Sequence, residues 1–155
     1  MSENVEIKQA SMEDLKDLAE IFNHYRMFYG QDSDVEGAEL FLFDRFVNRE
    51  SIMFIARDIV KKQIIGFTQL YPSFSSISMK RSIILNDLYV IESYRKQGIA
   101  QLLLDEAKKY MIWIKAKGLE LSTALDNTQA KRLYEKNGYI KDDEYAHYFL
   151  ANECM

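Results

Sequence analysis

Hydrophobic residues recur along this chain with two periods, one typical of strands and the other typical of helices. Val5 to Ala10 predicts a short strand, and Ser11 with Asp14 resembles the capping pair that opens a helix. After a polar break at residues 30–34, a second helical pattern follows and ends near Asn48. The first third of the chain therefore predicts one strand and two helices.

The middle of the chain has the pattern of paired strands. Ile52 to Arg57 and Ile64 to Tyr71 predict a hairpin, and a third strand begins near Ser82 and ends at Val90. Consecutive strands joined by short polar stretches favour antiparallel neighbours. We therefore expect an antiparallel meander.

Two strand-to-helix units follow the meander. The strand that ends at Val90 leads through Arg95-Lys96-Gln97-Gly98-Ile99-Ala100 into a segment with apolar residues at helical spacing. Leu119 to Ala124 predicts a strand, and Asn127 to Lys136 predicts a helix that ends at Asn137-Gly138. The pattern changes from antiparallel pairing to alternating strands and helices.

Length and composition agree with one folded domain. The 155 residues are 48% hydrophobic and 13% aromatic, which is enough for a sizeable core. Tyr145 to Leu150 predicts a last strand, and neither a linker nor an internal repeat divides the chain. We therefore expect a single mixed α/β domain over residues 1–155.

Charge and cysteine content exclude several classes of protein. A net charge of −4 argues against a general nucleic-acid binder and favours cationic partners. The lone Cys154 cannot form an internal disulfide, and His24 and His147 stand apart from any metal-ligand cluster. No apolar stretch approaches the roughly 18 residues of a membrane span, and residues 1–4 lack the features of a secretion signal. We expect a cytoplasmic protein that binds no metal, nucleic acid or membrane.

The run Arg95 to Ala100 has the chemistry of a phosphate site. Backbone N–H groups at a helix start lack helical partners, and the helix dipole favours an anion there. Gly98 would let a phosphate approach the main chain closely, and Arg95 and Lys96 add positive charge. A basic turn before glycine also opens many helices that bind nothing, so the surrounding sequence has to support this interpretation.

Three blocks, in order, resemble the GNAT acetyltransferases, which transfer an acetyl group from acetyl-coenzyme A to an amine. Leu85 to Val90 is similar to the strand before the family's pyrophosphate loop, and Arg95 to Ala100 is similar to the loop pattern Arg/Gln-x-x-Gly-x-Gly/Ala. Asn127 to Tyr139 is similar to Asn-x-x-Ala-x-x-Leu-Tyr-x-x-x-Gly-Tyr/Phe. More finely, Gly66 to Ser76 with the strand to Val90 resembles the subgroup of fungal histone and polyamine acetyltransferases.

The resemblance implies a fold and a way of binding the coenzyme. The GNAT fold has a mixed central β-sheet with an antiparallel N-terminal meander, splayed central strands and flanking helices. Main-chain N–H groups of Leu88, Tyr89 and Val90 would bind the pantetheine arm and thioester, and the Leu88 N–H would polarise the carbonyl. The remaining residues expected to bind acetyl-coenzyme A are Arg95, Lys96, Gln97, Gly98, Ile99, Ala100, Asn127, Ala130 and Tyr134.

The resemblance also implies a general acid but leaves the base open. Tyr134 falls on the position whose hydroxyl approaches the coenzyme sulfur, so it is the candidate acid for the departing thiolate. Several polyamine acetyltransferases have a glutamate where this chain has Asn86, and an amide cannot usefully accept a proton. Asp87 is a catalytic candidate, but strand alternation points neighbouring side chains to opposite faces. A water chain, with Asp87 structural, is the alternative.

Aromatic residues provide candidates for the acceptor groove. Tyr29, Tyr71 and Phe74 could hold the methylenes or cationic head of an alkylamine, while core or dimer packing is an equal alternative. We therefore expect an acetyl-coenzyme A-dependent N-acetyltransferase acting by direct attack of a primary amine on a small polyamine or amino-acid-like acceptor. Acetylation of protein lysines or N-termini, and a catalytically weak coenzyme-binding regulatory module, are the alternatives. A homodimer is expected, with the aromatic C-terminal strand as a possible interface.

Overall fold

Five strands and four α-helices follow one another in this protein, for which a computed structural model describes residues 4–155. The first three residues, where no secretion signal is expected, lie outside the described residues. Single 3₁₀ turns precede α1 and α3, at Met12–Asp14 and Glu92–Tyr94. The main elements are β1 (Val5–Gln9), α1 (Leu15–Phe28), α2 (Val35–Val47), β2 (Ile52–Asp58), β3 (Gln63–Ser75), β4 (Lys80–Val90), α3 (Ile99–Trp113), β5 (Leu119–Glu120) and α4 (Thr128–Lys136).

The sheet is mixed, as the sequence predicts. Its strands lie in the order β1-β2-β3-β4-β5, with antiparallel pairing from β1 to β4 and parallel pairing between β4 and β5. The β4–β5 pairing is confined to Ile83 and Ile84 of β4. The remainder of β4, as far as Val90, therefore extends beyond the last residue of its parallel neighbour.

Helices cover both faces of the sheet in the part of the chain that ends at Ser122, which forms one compact unit. On one face, the Phe67 ring lies 6.0 Å from Phe22 and 5.4 Å from Tyr25 of α1. On the other face, Phe54 lies 5.9 Å from Tyr110 of α3. Burial of each such large apolar side chain contributes about 1.5–3 kcal/mol. The fully buried core residues on the α1 and α2 side include Leu18, Leu42, Ile55 and Phe67.

The capping pair predicted at the start of the first helix is confirmed. The Ser11 backbone N–H donates to Asp14 Oδ2 at 2.9 Å, and the Ser11 hydroxyl also lies within hydrogen-bond distance of that oxygen. Asp34 caps α2 by accepting the Gly37 N–H at 2.9 Å. Both helices therefore begin where a short polar side chain satisfies a backbone donor.

Strand lengths differ from the sequence-based predictions at three places. The hairpin of β3 and β4 is longer than predicted, because both strands continue to a tight turn at residues 76–79. The strand predicted over Leu119 to Ala124 contains only Leu119–Glu120. The strand predicted over Tyr145 to Leu150 is wrong, because this segment has no regular structure. Its aromatic alternation gives strand propensity, but no described residue pairs with its backbone.

Candidate active site at the end of strand β4

A β-bulge shapes the end of β4. Gln69 of β3 pairs with Asp87, and Leu70 pairs with Leu85, so Asn86 is one extra residue in β4. An extra residue shifts the alternation of every later side chain by one position. Asn86 and Asp87 consequently lie together, with Asn86 Nδ2 donating to Asp87 Oδ1 at 3.2 Å. The prediction that strand alternation separates these two side chains is therefore wrong.

The register beyond the bulge determines where the backbone groups of β4 point. The Ile91 N–H donates to the Ile65 carbonyl at 2.9 Å, and hydrogen-bonded pairs in antiparallel strands recur at every second residue. The Tyr89 N–H therefore faces β3, contrary to its expected role as a coenzyme donor. Leu88 and Val90 present their N–H groups at the opposite edge, beyond the point where β5 ends. Among the three predicted donors, only these two have the direction that the prediction requires.

A buried carboxylate lies next to this edge. Asp87 is 6% exposed, and its Oδ1 accepts from the Tyr25 hydroxyl at 2.7 Å. Its Oδ2 accepts from Gln69 Nε2 at 2.8 Å. Together with the Asn86 amide, three side chains donate hydrogen bonds to this carboxylate. The Thr68 hydroxyl also donates to the Asp87 carbonyl at 2.8 Å, so both the side chain and the backbone of this residue are held.

Gln69 and Tyr25 are site residues that the sequence analysis missed. Gln69 is fully buried, and its Oε1 has no hydrogen-bond partner among the described residues. A polar side chain in the middle of the apolar run of β3 was the available signal, because a buried amide needs partners. Tyr25 gave no comparable signal, since an aromatic residue on an amphipathic helix is ordinary core material.

Of the three predicted acceptor residues, Tyr71 is the one whose hydroxyl is affected by the negative charge of Asp87. Tyr71 is two residues from Gln69 in β3 and therefore lies on the same face. Burial raises the pKa of Tyr71 to about 12, helped by the negative charge of Asp87 and opposed by Arg45. The Tyr71 hydroxyl therefore stays protonated at neutral pH and can donate a hydrogen bond.

The other two predicted acceptor residues lie apart from each other. Tyr29 is 63% exposed at the end of α1 and contacts Tyr25 edge-on at a centroid distance of 5.2 Å. Phe74 lies three positions beyond Tyr71, on the opposite face of β3, with the Arg81 guanidinium 5.5 Å from its ring. The structure brings Tyr29 and Tyr71 to the α1 side of the sheet but leaves Phe74 on the other side.

The loop after β4 turns tightly into α3. Lys96 and Gly98 both have left-handed backbone conformations, with φ of 64° and 80°. Within residues 4–155, no side chain caps α3. Its first turn has no acidic residue, and its first ladder bond runs from the Leu102 N–H to the Gly98 carbonyl. The helical ladder offers no partner to the N–H groups of Ile99 and Ala100. This loop and helix start fit an anionic group such as a pyrophosphate.

Arg95 is held by aromatic rings. Its Nε donates to the Val90 carbonyl at 2.9 Å. Its guanidinium carbon lies 5.0 Å from the ring centroid of Phe28 in α1 and 5.6 Å from that of Tyr89 in β4. Both distances are typical of cation–π contacts. We call Arg95, Phe28 and Tyr89 the aromatic clamp.

Residues from Thr123 onward form a second compact unit, which contains α4. Asn127 Oδ1 accepts the Ala130 N–H at 3.1 Å, so these two predicted coenzyme residues form the cap of α4. The Tyr134 and Tyr139 rings lie 5.7 Å apart, and burial raises the pKa of Tyr139 to about 12. Gly138 ends the helix with a φ of 89°. The Asn, Ala, Tyr and Gly positions of this block therefore have defined local roles within one helical unit.

Residues 4–155 contain no candidate metal site and no helix that could cross a membrane. In that range, no three residues of the types His, Cys, Asp and Glu are grouped so that they could hold a metal ion. None of the helices there is both long enough and apolar enough to cross a membrane. His147 Nε2 lies 3.6 Å from Asp142 Oδ2.

Comparisons with known proteins agree on one family. The sequence model of the acetyltransferase (GNAT) family matches residues 16–139. The uncharacterized N-acetyltransferase YhfO of Bacillus subtilis (strain 168) is 49% identical over 144 residues, covering 93% of this chain and 95% of that protein.

Solved structures agree with this match. The crystal structure of a probable acetyltransferase has a TM-score of 0.91 and 41% identity, covering 96% of this chain and 98% of that chain. A predicted acetyltransferase from Clostridium acetobutylicum, whose crystal structure is with acetyl-CoA, has a TM-score of 0.75 and 17% identity, covering 94% and 96% of the two chains. At that identity, the second structure shows a common fold alone.

Proposed function

This chain belongs to the GNAT acetyltransferase family, and we propose that it acetylates a primary amine of a small molecule, either a polyamine or an amino-acid-like compound. The family establishes an acyltransferase with the expected α/β GNAT fold and its mixed five-stranded sheet. The acceptor class is the proposed part. The observation that carries it is the buried Asp87 carboxylate, an anionic group that directly precedes Leu88 at the open edge of β4.

We propose that this chain holds acetyl-coenzyme A along that edge. Acetyl-coenzyme A is the acetyl donor in this family. The Leu88 N–H would donate to the thioester carbonyl oxygen as it gains negative charge, and the Val90 N–H would donate to the pantetheine arm. The N–H groups of Ile99 and Ala100 would bind the pyrophosphate at the start of α3. The direction of the first two groups and the missing ladder partners of the last two support this assignment.

The proposed reaction requires a proton to leave the amine and another to reach the sulfur. An amine with a pKa near that of lysine, about 10.4, is mostly protonated at neutral pH, so Asp87 or a water beside it would receive its proton. The neutral amine attacks the thioester carbon, a C–N bond forms, the C–S bond breaks, and the nitrogen releases its remaining excess proton to water. Tyr134 would then protonate the thiolate. The family motif from Asn127 to Tyr139 supports that role.

Aromatic and acidic groups on the α1 side suit a cationic acceptor. Tyr71 would donate a hydrogen bond from a protonated hydroxyl, and the Tyr29 ring would contact the methylenes of the acceptor. The Asp87 carboxylate would attract the ammonium group. Phe74 has no part in this proposal, because it lies on the other face of β3.

The wider setting is also proposed. We propose that the chain acts as one GNAT domain over residues 1–155, as a homodimer and in the cytoplasm. The family match crosses the boundary between the two compact units, which supports a single functional domain. The relatives described above do not support the closer resemblance to fungal histone and polyamine acetyltransferases, so a polyamine acceptor rests on the charge of the site alone.

Coenzyme A release from acetyl-coenzyme A tests the proposal. Purified protein is assayed against polyamines, amino acids, lysine analogues and basic peptides, with Asp87→Asn as the matched variant. We expect release with a small amine and a strong loss of that activity in the variant. Selective release with peptides would instead indicate a protein acetyltransferase. If the protein binds acetyl-coenzyme A but releases no coenzyme A with every acceptor of the panel, it would instead be a catalytically weak regulatory module. The amide at Asn86 is compatible with that alternative.

A further inference from the structure

The aromatic clamp connects two parts of the site that are far apart in sequence. Arg95 follows β4 at the start of the coenzyme loop, whereas Phe28 is the last residue of α1. The Phe28 and Tyr89 rings lie 6.1 Å apart, and Tyr89 lies 5.5 Å from the Tyr25 ring. Tyr25 in turn donates to Asp87. Continuous contacts therefore run from the loop to the buried carboxylate.

The geometry of Arg95 points to a role other than supplying positive charge. Its Nε is directed at the Val90 carbonyl, which fixes one edge of the planar guanidinium. The two rings then contact the guanidinium carbon within 6 Å. A lysine retains the charge but lacks the planar fork that makes a hydrogen bond and stacks at the same time. Charge and clamp can therefore be separated by substitution.

The last turn of α1 is largely exposed, from Met27 to Tyr29. Phe28 is 60% exposed, and α1 ends beside it, before Gly30 with its left-handed φ of 88°. Besides Arg95, Phe28 contacts the Tyr29 ring at 5.3 Å and the Tyr89 ring. A helix end with little buried surface opens at low free energy, so a single added contact shifts its equilibrium measurably.

We propose that Arg95 is a positioning residue that couples the coenzyme loop to the C-terminal end of α1, so that coenzyme binding orders the acceptor side of the site around Tyr25 and Asp87. The inference rests on the proposed function, because it takes residues 95–100 as part of the coenzyme site. Binding at the loop restricts Arg95, and Arg95 in turn restricts Phe28.

Hydrogen exchange of the full chain, with and without coenzyme A, tests this coupling without a known acceptor. The readout is the backbone exchange rate in a peptide covering residues 25–30. In the wild type, saturating coenzyme A is expected to slow this exchange by at least about fivefold, the lower end of ordinary coupling between sites. In Arg95→Lys, coenzyme A is expected to bind but to leave the exchange unchanged.

Lys96→Gln is the matched control, because it removes the neighbouring charge and leaves the clamp intact. Its coenzyme A affinity is expected to fall about two- to fivefold, with full slowing of exchange at saturation. Phe28→Leu is the second probe, since its exposed position tolerates substitution. It is expected to behave like Arg95→Lys.

The outcomes separate this inference from the proposed function. No coenzyme A binding by the wild type would overturn both. Binding with unchanged exchange at residues 25–30 would overturn the coupling alone and leave the acetyltransferase proposal standing. Full slowing in both Arg95→Lys and Phe28→Leu would also overturn the coupling, because neither variant keeps the clamp.

Discussion

Replacing Tyr25 by phenylalanine tests the network around the buried carboxylate most directly. The substitution removes one hydroxyl, which donates to Asp87 Oδ1 at 2.7 Å. The ring is retained, so its edge-on contact with Phe67 at 5.4 Å is preserved and no large cavity forms. The change therefore reports on the hydrogen bond and leaves packing nearly constant.

The expected loss of stability follows from the charge and burial of the acceptor. A hydrogen bond to a charged group contributes about 1.5–3 kcal/mol. Asp87 retains two donors in the variant, from Gln69 and Asn86, and Tyr25 is only partly buried, so water can replace some of the loss. We therefore expect a decrease of about 1.5–2 kcal/mol in the free energy of unfolding, the lower part of that range.

Urea denaturation at neutral pH measures this decrease, with Tyr29→Phe as the control. Tyr29 lies four residues further along the chain and is 63% exposed, so its variant is expected to stay within about 0.5 kcal/mol of the wild type. An equal, small effect of both substitutions would refute the reasoning. It would mean that the Tyr25 hydroxyl does not hold Asp87.

Three further predictions address the loop, the general acid and pH. Gly98→Ala is expected to lower the free energy of unfolding by about 1–2 kcal/mol in urea denaturation, because the φ of 80° disfavours a residue with a Cβ, although the added Cβ would meet no neighbour. Gly118→Ala is the control: its site is equally open and has no positive φ, so its free energy of unfolding should change little. Tyr134→Phe is expected to lower kcat more than it weakens coenzyme binding, and unchanged turnover would remove the proposed acid. The Tyr94 hydroxyl donates to Asp58 at 2.6 Å, and this hydrogen bond is the main cause that lowers the Asp58 pKa below 3.8. The ionised Asp58 therefore stabilises the fold above that pH. This stabilisation is lost as the pH falls through the lowered pKa. The stability difference between wild type and Tyr94→Phe should therefore be present at neutral pH and shrink in acid, and a difference independent of pH would contradict the assignment.

Much of the fold could be predicted because its signals are local. The Ser11 and Asp14 pair marks the first helix, and apolar periodicity indicates the strands of the meander. The C-terminal segment from Tyr145 to Leu150 shows the limit of such signals. Its pattern gives strand propensity, but a strand forms only where another backbone pairs with it. The sequence of the segment alone does not determine whether such a partner is present.

The candidate site was predictable where a motif specifies backbone geometry. The run around Gly98 indicated a turn into a helix that suits an anion, and the loop has the left-handed residues that such a turn needs. The environment of Asp87 could not be predicted in the same way, because it depends on a bulge opposite Gln69 and on a hydroxyl from a distant helix. The bulge depends on how β4 pairs with β3, and the hydroxyl on how α1 packs against the sheet. The alternation of residues within one strand predicts neither.

Strand β4 contains one residue more than the stretch of β3 with which it pairs, and this has a consequence for comparing sequences. Asn86 stands nine positions before Arg95. In a strand without the extra residue, the residue nine positions before Arg95 would pair with Leu70 and point towards α3. In this chain, with the extra residue, that position is Asn86, whose side chain lies next to Asp87 on the side of Tyr25. Equal distance along two sequences therefore does not mean equal position in two sheets. The residue to compare across the family is the one that stands opposite Gln69, and in this chain that residue is an acid.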